Sequence, residues 1–295
     1  MHSNFKYIIT ATSLMLCLCN SAFAAGLSRV RFHDENRDTA RINEILIDAE
    51  AHRFANQSEC VGYIGRCFVG TPYVAHTLES DDNTEWLTVN LDELDCTTFV
   101  ETALAMAYTV NERRSSWRDF IYNLERLRYR GGEADGYGSR LHYICDWIVD
   151  NVHRGNFVDA TNLFEPVSHM VRTIDFMSSN RDRYPALKDS VAFERIKSIE
   201  SGYRNHRFPY IKSRDLGNKA IKAKLRDGDV VGLVSALKNL DVTHMGIIVK
   251  GDDGEPYLMH ASMSEGKVTV SKQPLNDFMR RNRQFIGIRV IRLAE

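Results

Sequence analysis

The chain of 295 residues is long enough for one large domain, or for one domain that carries an elaborate insertion. Its composition is that of an ordinary globular protein, and its formal net charge at pH 7 is only −1. Because no Lys- or Arg-rich run occurs, the sequence argues against a nucleic acid or an anionic membrane surface as a partner.

The first 24 residues have the pattern of a secretory signal peptide. Lys6 precedes an apolar core between Tyr7 and Cys19, and an Ala-Phe-Ala cleavage pattern follows at 22–24. This core is shorter than a bilayer span, and no later segment is apolar enough to cross a membrane. We therefore expect a periplasmic or secreted protein, with residues 25–295 as a single domain.

Four cysteines remain once the signal is removed: Cys60, Cys67, Cys96 and Cys145. A disulfide between Cys60 and Cys67 could close a short loop in an oxidising compartment, and two unpaired structural cysteines are an equal alternative. No CxxC or HExxH spacing occurs, which disfavours a metal site. We expect no metal and no other cofactor.

Helical patterns dominate the first two thirds of the chain. The section from about residue 111 to residue 226 is interpreted as a mainly helical insertion that shapes a site, and a polar, variable run follows residue 152 and extends to Lys212. Helices are predicted at 39–55, 96–110, 117–127 and 141–152, and a strand at 86–91.

The last third changes to short β-type runs separated by Gly-, Asp- and Ser-rich turn signals. Closely spaced strands with tight turns predict an antiparallel sheet, so the chain as a whole has the order of an α+β protein. The predicted strands are Val230–Val234, Met245–Val249, Tyr257–Ala261, Lys267–Val270 and Phe285–Ile291.

Cys96 begins one of the predicted helices. Asp95 is a good N-cap, which places Cys96 in the first turn. The unpaired N–H groups and the helix dipole favour an anion there, so we expect this thiol to ionise more easily than a free one. The alternative is a small buried apolar residue.

Two histidines fall in the predicted sheet. If Val249 pairs with Tyr257, then Gly246 pairs with His260, and His244 becomes a diagonal neighbour of His260 on the same face. A slip of one residue would separate the two rings. Each histidine alone could be structural, one at a strand edge and the other in the core.

Together with Cys96, the two histidines favour a Cys-His-His catalytic set. Cys96 would be the nucleophile, His244 would accept its proton and deliver one to the leaving amine, and His260 would fix the His244 ring. A zinc site built from the same three residues is a further alternative.

Five segments of the chain resemble, in the same order, the motifs of NlpC-type cell-wall cysteine hydrolases, a papain-like superfamily. Residues 95–100, Asp-Cys-Thr-Thr-Phe-Val, are similar to their Asp-Cys-Ser-Gly-Phe-Val signature. The others are Gly-Thr-Pro-Tyr-Val at 70–74, Asp-Gly-Asp-Val-Val at 227–231, His-Met-Gly-Ile at 244–247 and Met-His-Ala-Ser at 259–262.

The resemblance implies a papain-like core in which the nucleophile helix packs on an antiparallel sheet. It assigns the three roles above to Cys96, His244 and His260. It also implies that the hydroxyl of Tyr73 helps to bind the oxyanion beside the Cys96 N–H, although turn packing after Pro72 is an alternative for Tyr73. Thr-Thr in place of Ser-Gly after Cys96 indicates a different pocket rim.

Cys96 and His244 lie much further apart in sequence than in ordinary members. The segments 127–132, 135–143, 146–148 and 240–244 resemble a distinct amidase branch of the superfamily, over nearly all of the chain after the signal. Members of that branch act on the N-acetylmuramoyl–L-alanine bond and favour the anhydro-sugar form. Peptidoglycan or muropeptide fragments are therefore the expected substrate.

The inserted section contains further candidates for substrate binding. Tyr137 and Tyr143 offer flat faces to a sugar ring, Arg140 could grip a carboxylate bidentately, and His142 lies beside them. Tyr143 could equally be a core residue. Asp95 is also ambiguous, since the equivalent acid in peptidase relatives is tied to recognition of a peptide amine, whereas N-capping alone explains it here.

Two other functions stay open at this point. One is an endopeptidase that cuts the D-glutamyl–diamino acid bond of cell-wall peptides. The other is a catalytically silent wall-binding module. The sequence leaves the oligomeric state undetermined.

Overall fold

The computed structural model describes residues 30–294. The predicted signal peptide therefore lies outside the described residues. Within the described part of the chain, none of the helices combines the length and the apolar character needed to cross a membrane.

Most strands form one large antiparallel sheet, as the sequence predicted for the last third of the chain. A separate parallel pair is formed by β1 (Val30–Phe32) and β2 (Leu87–Val89). The strands of the large sheet are β3 (Phe157–Asp159), β4 (Ser168–Arg172), β5 (His206–Lys212), β6 (Val230–Ser235), β7 (Val242–Lys250), β8 (Pro256–Ser262), β9 (Lys267–Val270) and β10 (Phe285–Leu293). Their order in the sheet is β4-β5-β10-β6-β7-β8-β9, and β3 pairs with β10.

Helices cover both faces of this sheet and make it a mixed α+β fold. The four helices predicted at 39–55, 96–110, 117–127 and 141–152 are present, with boundaries that differ by a few residues, whereas the helices Gln57–Arg66 and Ser190–Gly202 were not predicted. The α-helices of residues 30–294 are α1 (Glu35–Ala51), α2 (Gln57–Arg66), α3 (Cys96–Asn111), α4 (Trp117–Arg128), α5 (Ile144–His153), α6 (Phe176–Ser179), α7 (Ser190–Gly202), α8 (Lys219–Lys224) and α9 (Leu275–Arg281).

The core is split by the sheet because strand side chains alternate between its faces. On one face, α3 packs through Phe99 against Ile247 and Met259. On the other face, Ile248 and Leu258 pack with α8 and α9. Helix α3 therefore lies against the two strands that carry the histidines.

A glycine allows the chain to turn tightly into β6. Gly228 has a φ of +83°, and a Cβ atom there would lie 1.5 Å from the Ser58 carbonyl oxygen. The backbones of α2 and of this turn can therefore meet only if residue 228 has no side chain.

The inserted section contains more helix than strand, but the prediction missed its strands. β3, β4 and β5 all lie between residues 157 and 212 and extend the large sheet. β5 was not predicted because it contains Pro209, and Pro is unusual inside a strand. β4 alternates between half-buried and exposed positions, so it lacks an apolar face that would reveal it.

The four cysteines among residues 30–294 are unpaired. Cys60 and Cys67 do not flank a loop: Cys60 is buried within α2, and Cys67 is the exposed C-cap of the same helix. Seven residues of helix separate their Cα atoms by about 10 Å, beyond the roughly 7 Å that a disulfide spans. Cys96 and Cys145 are also free thiols.

Candidate active site

The N-terminus of α3 is tightly capped. Asp95 Oδ1 accepts hydrogen bonds from the backbone N–H groups of Thr97 and Thr98, at 3.0 and 2.8 Å. The Thr98 hydroxyl oxygen in turn accepts from the Asp95 N–H at 2.9 Å, which completes a capping box. Asp95 therefore fixes Cys96 in the first turn, and this capping accounts for its Oδ1 atom.

The thiol of Cys96 does not ionise as easily as its helical position suggested, so that prediction is wrong. Burial, followed by the Asp95 carboxylate, raises the pKa of Cys96 from 9.0 to about 11. The Met245 N–H and the Thr97 hydroxyl act in the opposite direction. Desolvation and a like charge outweigh the helix terminus, so the resting group at neutral pH is the thiol.

The two histidines form a hydrogen-bonded pair, as the predicted register requires. Val249 pairs with Tyr257 across β7 and β8, which makes His244 and His260 diagonal neighbours. Nε2 of His244 lies 2.7 Å from Nδ1 of His260. This bond leaves Nδ1 of His244 as the free ring nitrogen.

Both imidazoles are kept neutral by their surroundings. Burial, followed by the neighbouring His260, lowers the pKa of His244 to about 3. Burial lowers the pKa of His260 to about 4, and Glu265 opposes this effect. A neutral imidazole can accept a proton, so His244 is in the form that a general base requires.

Two phenylalanines that the sequence analysis missed hold these rings. Phe285 lies nearly parallel to His244, with 6.1 Å between ring centroids, and Phe278 meets His260 edge-on at 5.4 Å. They come from β10 and α9, well beyond the histidine strands in sequence. No local motif could have revealed them, because only the fold brings them to the rings.

Tyr73 is held close to Cys96 by backbone bonds. It forms a parallel bridge with Leu94, two residues before the cysteine, and its N–H donates to the Gly266 carbonyl at 2.9 Å. Burial, then the proximity of Cys96 and of the Asp95 carboxylate, raises the pKa of the Tyr73 phenol. The phenol therefore stays protonated at neutral pH and can donate a hydrogen bond.

All four predicted catalytic side chains line a single cavity, here called the Cys96 cavity, of about 830 Å³. This volume suits a ligand larger than a single amino acid. Its other lining residues include Ser235, Leu237, Thr243, Ser262, Met263, Glu265, Thr269, Val270, Lys272, Phe278 and Phe285.

The candidates from the inserted section do not line this cavity. The Arg140 guanidinium is buried and donates to Glu79 at 2.7 Å, with Glu85 3.4 Å from its Nε. His142 Nε2 lies 2.8 Å from the Tyr137 carbonyl oxygen. Arg140 and His142 thus have partners within the protein, and a substrate-binding role for Tyr137, Arg140 and His142 stays a prediction.

Tyr143 is similarly occupied. Its hydroxyl donates to Glu200 at 2.6 Å and accepts from the Met177 N–H at 2.7 Å. These contacts favour the alternative of a core residue, and sugar binding by Tyr143 stays a prediction. Among the described residues, no group of three or more His, Cys, Asp and Glu side chains is arranged to hold a metal ion.

Comparisons with known proteins agree with one another. Residues 63–288 match the sequence model of the AmiA-like family, described as N-acetylmuramoyl-L-alanine amidase-like. The chain belongs to this family. An N-acetylmuramoyl-L-alanine amidase from Bacteroides uniformis ATCC 8492, solved by crystallography, is similar over 81% of this chain and 99% of its own, with 37% identity and a TM-score of 0.73.

Two further structures share the fold. A candidate xylanase from Bacteroides fragilis is 40% identical, over 78% of this chain and 98% of its own, with a TM-score of 0.72. A Legionella pneumophila protein is 19% identical, over 88% and 96%, with a TM-score of 0.68, and supports the fold alone. No curated protein matches the chain.

Proposed function

We propose that this protein is a cysteine amidase that hydrolyses the N-acetylmuramoyl–L-alanine bond of peptidoglycan or of anhydro-muropeptide fragments. Membership of the amidase-like family supports a peptidoglycan-type substrate. The observation that carries the proposal is the His244–His260 bond of 2.7 Å, in the same cavity as Cys96 and Tyr73.

The first half of the reaction forms a thioester. As the Cys96 sulfur attacks the lactyl carbonyl carbon of muramic acid, its proton passes to Nδ1 of His244. Because the thiol and the imidazole are both neutral at rest, proton transfer accompanies attack and does not precede it. His260, bonded to Nε2 of His244, orients the ring.

The carbonyl oxygen becomes an oxyanion during attack. The Tyr73 hydroxyl and the Cys96 backbone N–H would donate to it, and donors fixed before charge develops need little reorganisation. When the intermediate collapses, the C–N bond breaks and His244 protonates the departing alanine nitrogen. Water, deprotonated by His244, then attacks the thioester, releases the sugar acid and restores the thiol.

The chemistry of the Cys96 cavity argues against glycoside hydrolysis, the reaction suggested by the name of the Bacteroides fragilis structure. Glycosidases typically flank the scissile bond with two carboxyl groups. Among the described residues that line the cavity, Glu265 carries the one carboxylate. The cysteine and the histidine pair fit acyl transfer instead.

The proposal also includes a more specific fold family. We place the chain in the NlpC-type branch of papain-like hydrolases, because α3 carries Cys96 and packs on β7 and β8, which carry the histidines. Export to the periplasm or the medium is part of the proposal as well. It rests on the signal-like pattern of residues 1–24.

To test the proposal, an anhydro-muropeptide is incubated with the wild type and with Cys96→Ala, and the products are identified by mass spectrometry. Cys67→Ala is the matched control, because Cys67 is an exposed cysteine outside the cavity. We expect the wild type and Cys67→Ala to release free stem peptide and sugar acid, and Cys96→Ala to release neither.

Product masses separate the alternatives. L-alanyl-D-glutamate still attached to the sugar would identify an endopeptidase that cuts after D-glutamate. Binding without any cleavage by the wild type would identify a silent wall-binding module. Equal release of sugar acid by Cys96→Ala would refute the cysteine mechanism.

A further inference from the structure

The Cys96 cavity carries very little charge. Besides the two neutral histidines, its lining among the described residues holds one cation, Lys272, and one anion, Glu265. Three apolar side chains, Leu237, Met263 and Val270, are 51%, 76% and 36% exposed at the same cavity. A ligand with a mostly uncharged surface and few acidic groups matches such a lining.

The backbone around Lys272 is fixed. The preceding Ser271 donates its N–H to the Leu258 carbonyl at 2.7 Å, and the Leu258 N–H donates to the Ser271 hydroxyl at 3.0 Å. The same hydroxyl donates to the Gln273 carbonyl at 2.8 Å. Lys272 is thus attached to β8, the strand of His260, by a short and rigid connection.

The Lys272 side chain itself can change partners. Its Nζ lies 3.3 Å from Glu265 Oε1, and the two side chains are 76% and 45% exposed. Ion pairs this exposed contribute little, because water screens them and both side chains lose conformational freedom. An incoming carboxylate can therefore replace Glu265 at Lys272.

The substrate class offers such a group. In a stem that begins with L-alanyl-D-glutamate, the glutamyl residue carries carboxylates two residues from the scissile bond, about 7 Å along an extended chain. The anhydro-sugar and the alanine are uncharged. One cation, paired with one exchangeable anion in a cavity whose other lining residues are uncharged, fits this distribution.

We propose that Lys272 is a specificity residue that binds a carboxylate of the second residue of the stem peptide, in exchange for Glu265. This inference rests on the proposed amidase function for the identity of the ligand. It extends that function by assigning the peptide side of the cleaved bond to the end of the cavity formed by β9 and the segment after it.

Binding and cleavage are measured separately. Dissociation constants are determined by calorimetry in a Cys96→Ala background for anhydro-muramoyl-L-alanyl-D-glutamate and for its diamide, which lacks both carboxylates. Lys272→Gln is the test variant. Lys267→Gln is the matched control, since Lys267 is an exposed lysine on β9 that does not line the cavity.

We expect the acid to bind about fivefold more tightly than the diamide at low salt. Lys272→Gln should abolish this preference, Lys267→Gln should keep it, and about 0.5 M NaCl should weaken it. Equal affinity for acid and diamide, or a preference that survives Lys272→Gln, would overturn the assignment of Lys272.

Cleavage of the same pair by proteins that retain Cys96 separates this inference from the amidase proposal. Equal kcat/KM for acid and diamide would overturn the Lys272 subsite and leave the amidase standing. Preferential, Lys272-dependent binding without cleavage of either compound would support the subsite and refute the amidase.

Discussion

Asp95 allows the capping of α3 and the electrostatics of Cys96 to be separated by two substitutions. Asp95→Ala removes the oxygen that accepts from the N–H groups of Thr97 and Thr98 at 3.0 and 2.8 Å and from the Thr98 hydroxyl at 2.9 Å. Loss of an N-cap costs about 1–2 kcal/mol of unfolding free energy. In a domain of this size that lowers Tm by roughly 2–8 °C.

Asp95→Asn keeps the cap but removes the charge. Asn caps helices about as well as Asp, so its unfolding free energy should stay within about 0.5 kcal/mol of the wild type. In both variants the pKa of the Cys96 thiol should fall, because the Asp95 charge raises it. Urea titrations give the stabilities, and the pH dependence of Cys96 alkylation by iodoacetamide, read by mass spectrometry, gives the thiol pKa.

Two results would refute this reasoning. If Asp95→Ala were as stable as the wild type, the three bonds to Oδ1 would not stabilise the helix. If Asp95→Asn raised the pKa of the thiol, the carboxylate would not be destabilising the thiolate. An activity loss in Asp95→Asn with unchanged stability would instead favour a direct role of the carboxylate in recognition of the substrate.

Three further predictions follow from burial and close contact. Burial lowers the pKa of His244 to about 3, so kcat/KM should stay level from about pH 8 to about pH 5. An inflection of kcat/KM near the usual imidazole pKa of about 6.5 would contradict this prediction. Glu101→Gln leaves the Arg128 guanidinium, 2.6 Å away and 2% exposed, without its counter-charge. Urea titration should show that the free energy of unfolding falls by about 3–5 kcal/mol, and a fall of less than about 1 kcal/mol would contradict this prediction. Gly228→Ala should prevent accumulation of soluble protein, because its Cβ atom would lie 1.5 Å from the Ser58 carbonyl oxygen. A normal yield and an unchanged Tm would contradict this prediction and show that the turn can relax.

The histidine pair could be predicted from the sequence because strand geometry leaves few choices. Side chains alternate with a period of two, and the short turn between β7 and β8 fixes Val249 opposite Tyr257. The position of Cys96 followed in the same way from the capping preference of Asp95. Local rules were sufficient wherever the residues involved were close in sequence.

The ionisation of Cys96 could not be predicted in this way. A helix terminus contributes about 0.3–1 kcal/mol, less than one pKa unit, which is about 1.4 kcal/mol. Burial, together with the Asp95 carboxylate, raises the pKa of the thiol by more, from 9.0 to about 11. Burial depends on what the fold packs around the sulfur, and that packing involves distant segments such as the one carrying Met245.

The far wall of the Cys96 cavity was hidden for the same reason. Phe278 and Phe285 contact the imidazoles, and Lys272 supplies a cation, yet none belongs to a recognisable motif. In contrast, the aromatic and charged residues of the inserted section were conspicuous in sequence. The structure shows that Arg140 and Tyr143 have partners inside the protein.

The most direct test of the central claim is to trap the acyl-enzyme with hydroxylamine. A thioester on Cys96 would react with either water or hydroxylamine. The wild type should therefore convert part of the anhydro-muropeptide to the muramoyl hydroxamate, in an amount that rises with the hydroxylamine concentration. Cys96→Ala should yield no hydroxamate. Peptide release with no hydroxamate at any hydroxylamine concentration, or hydroxamate formed equally by Cys96→Ala, would contradict covalent catalysis by this cysteine.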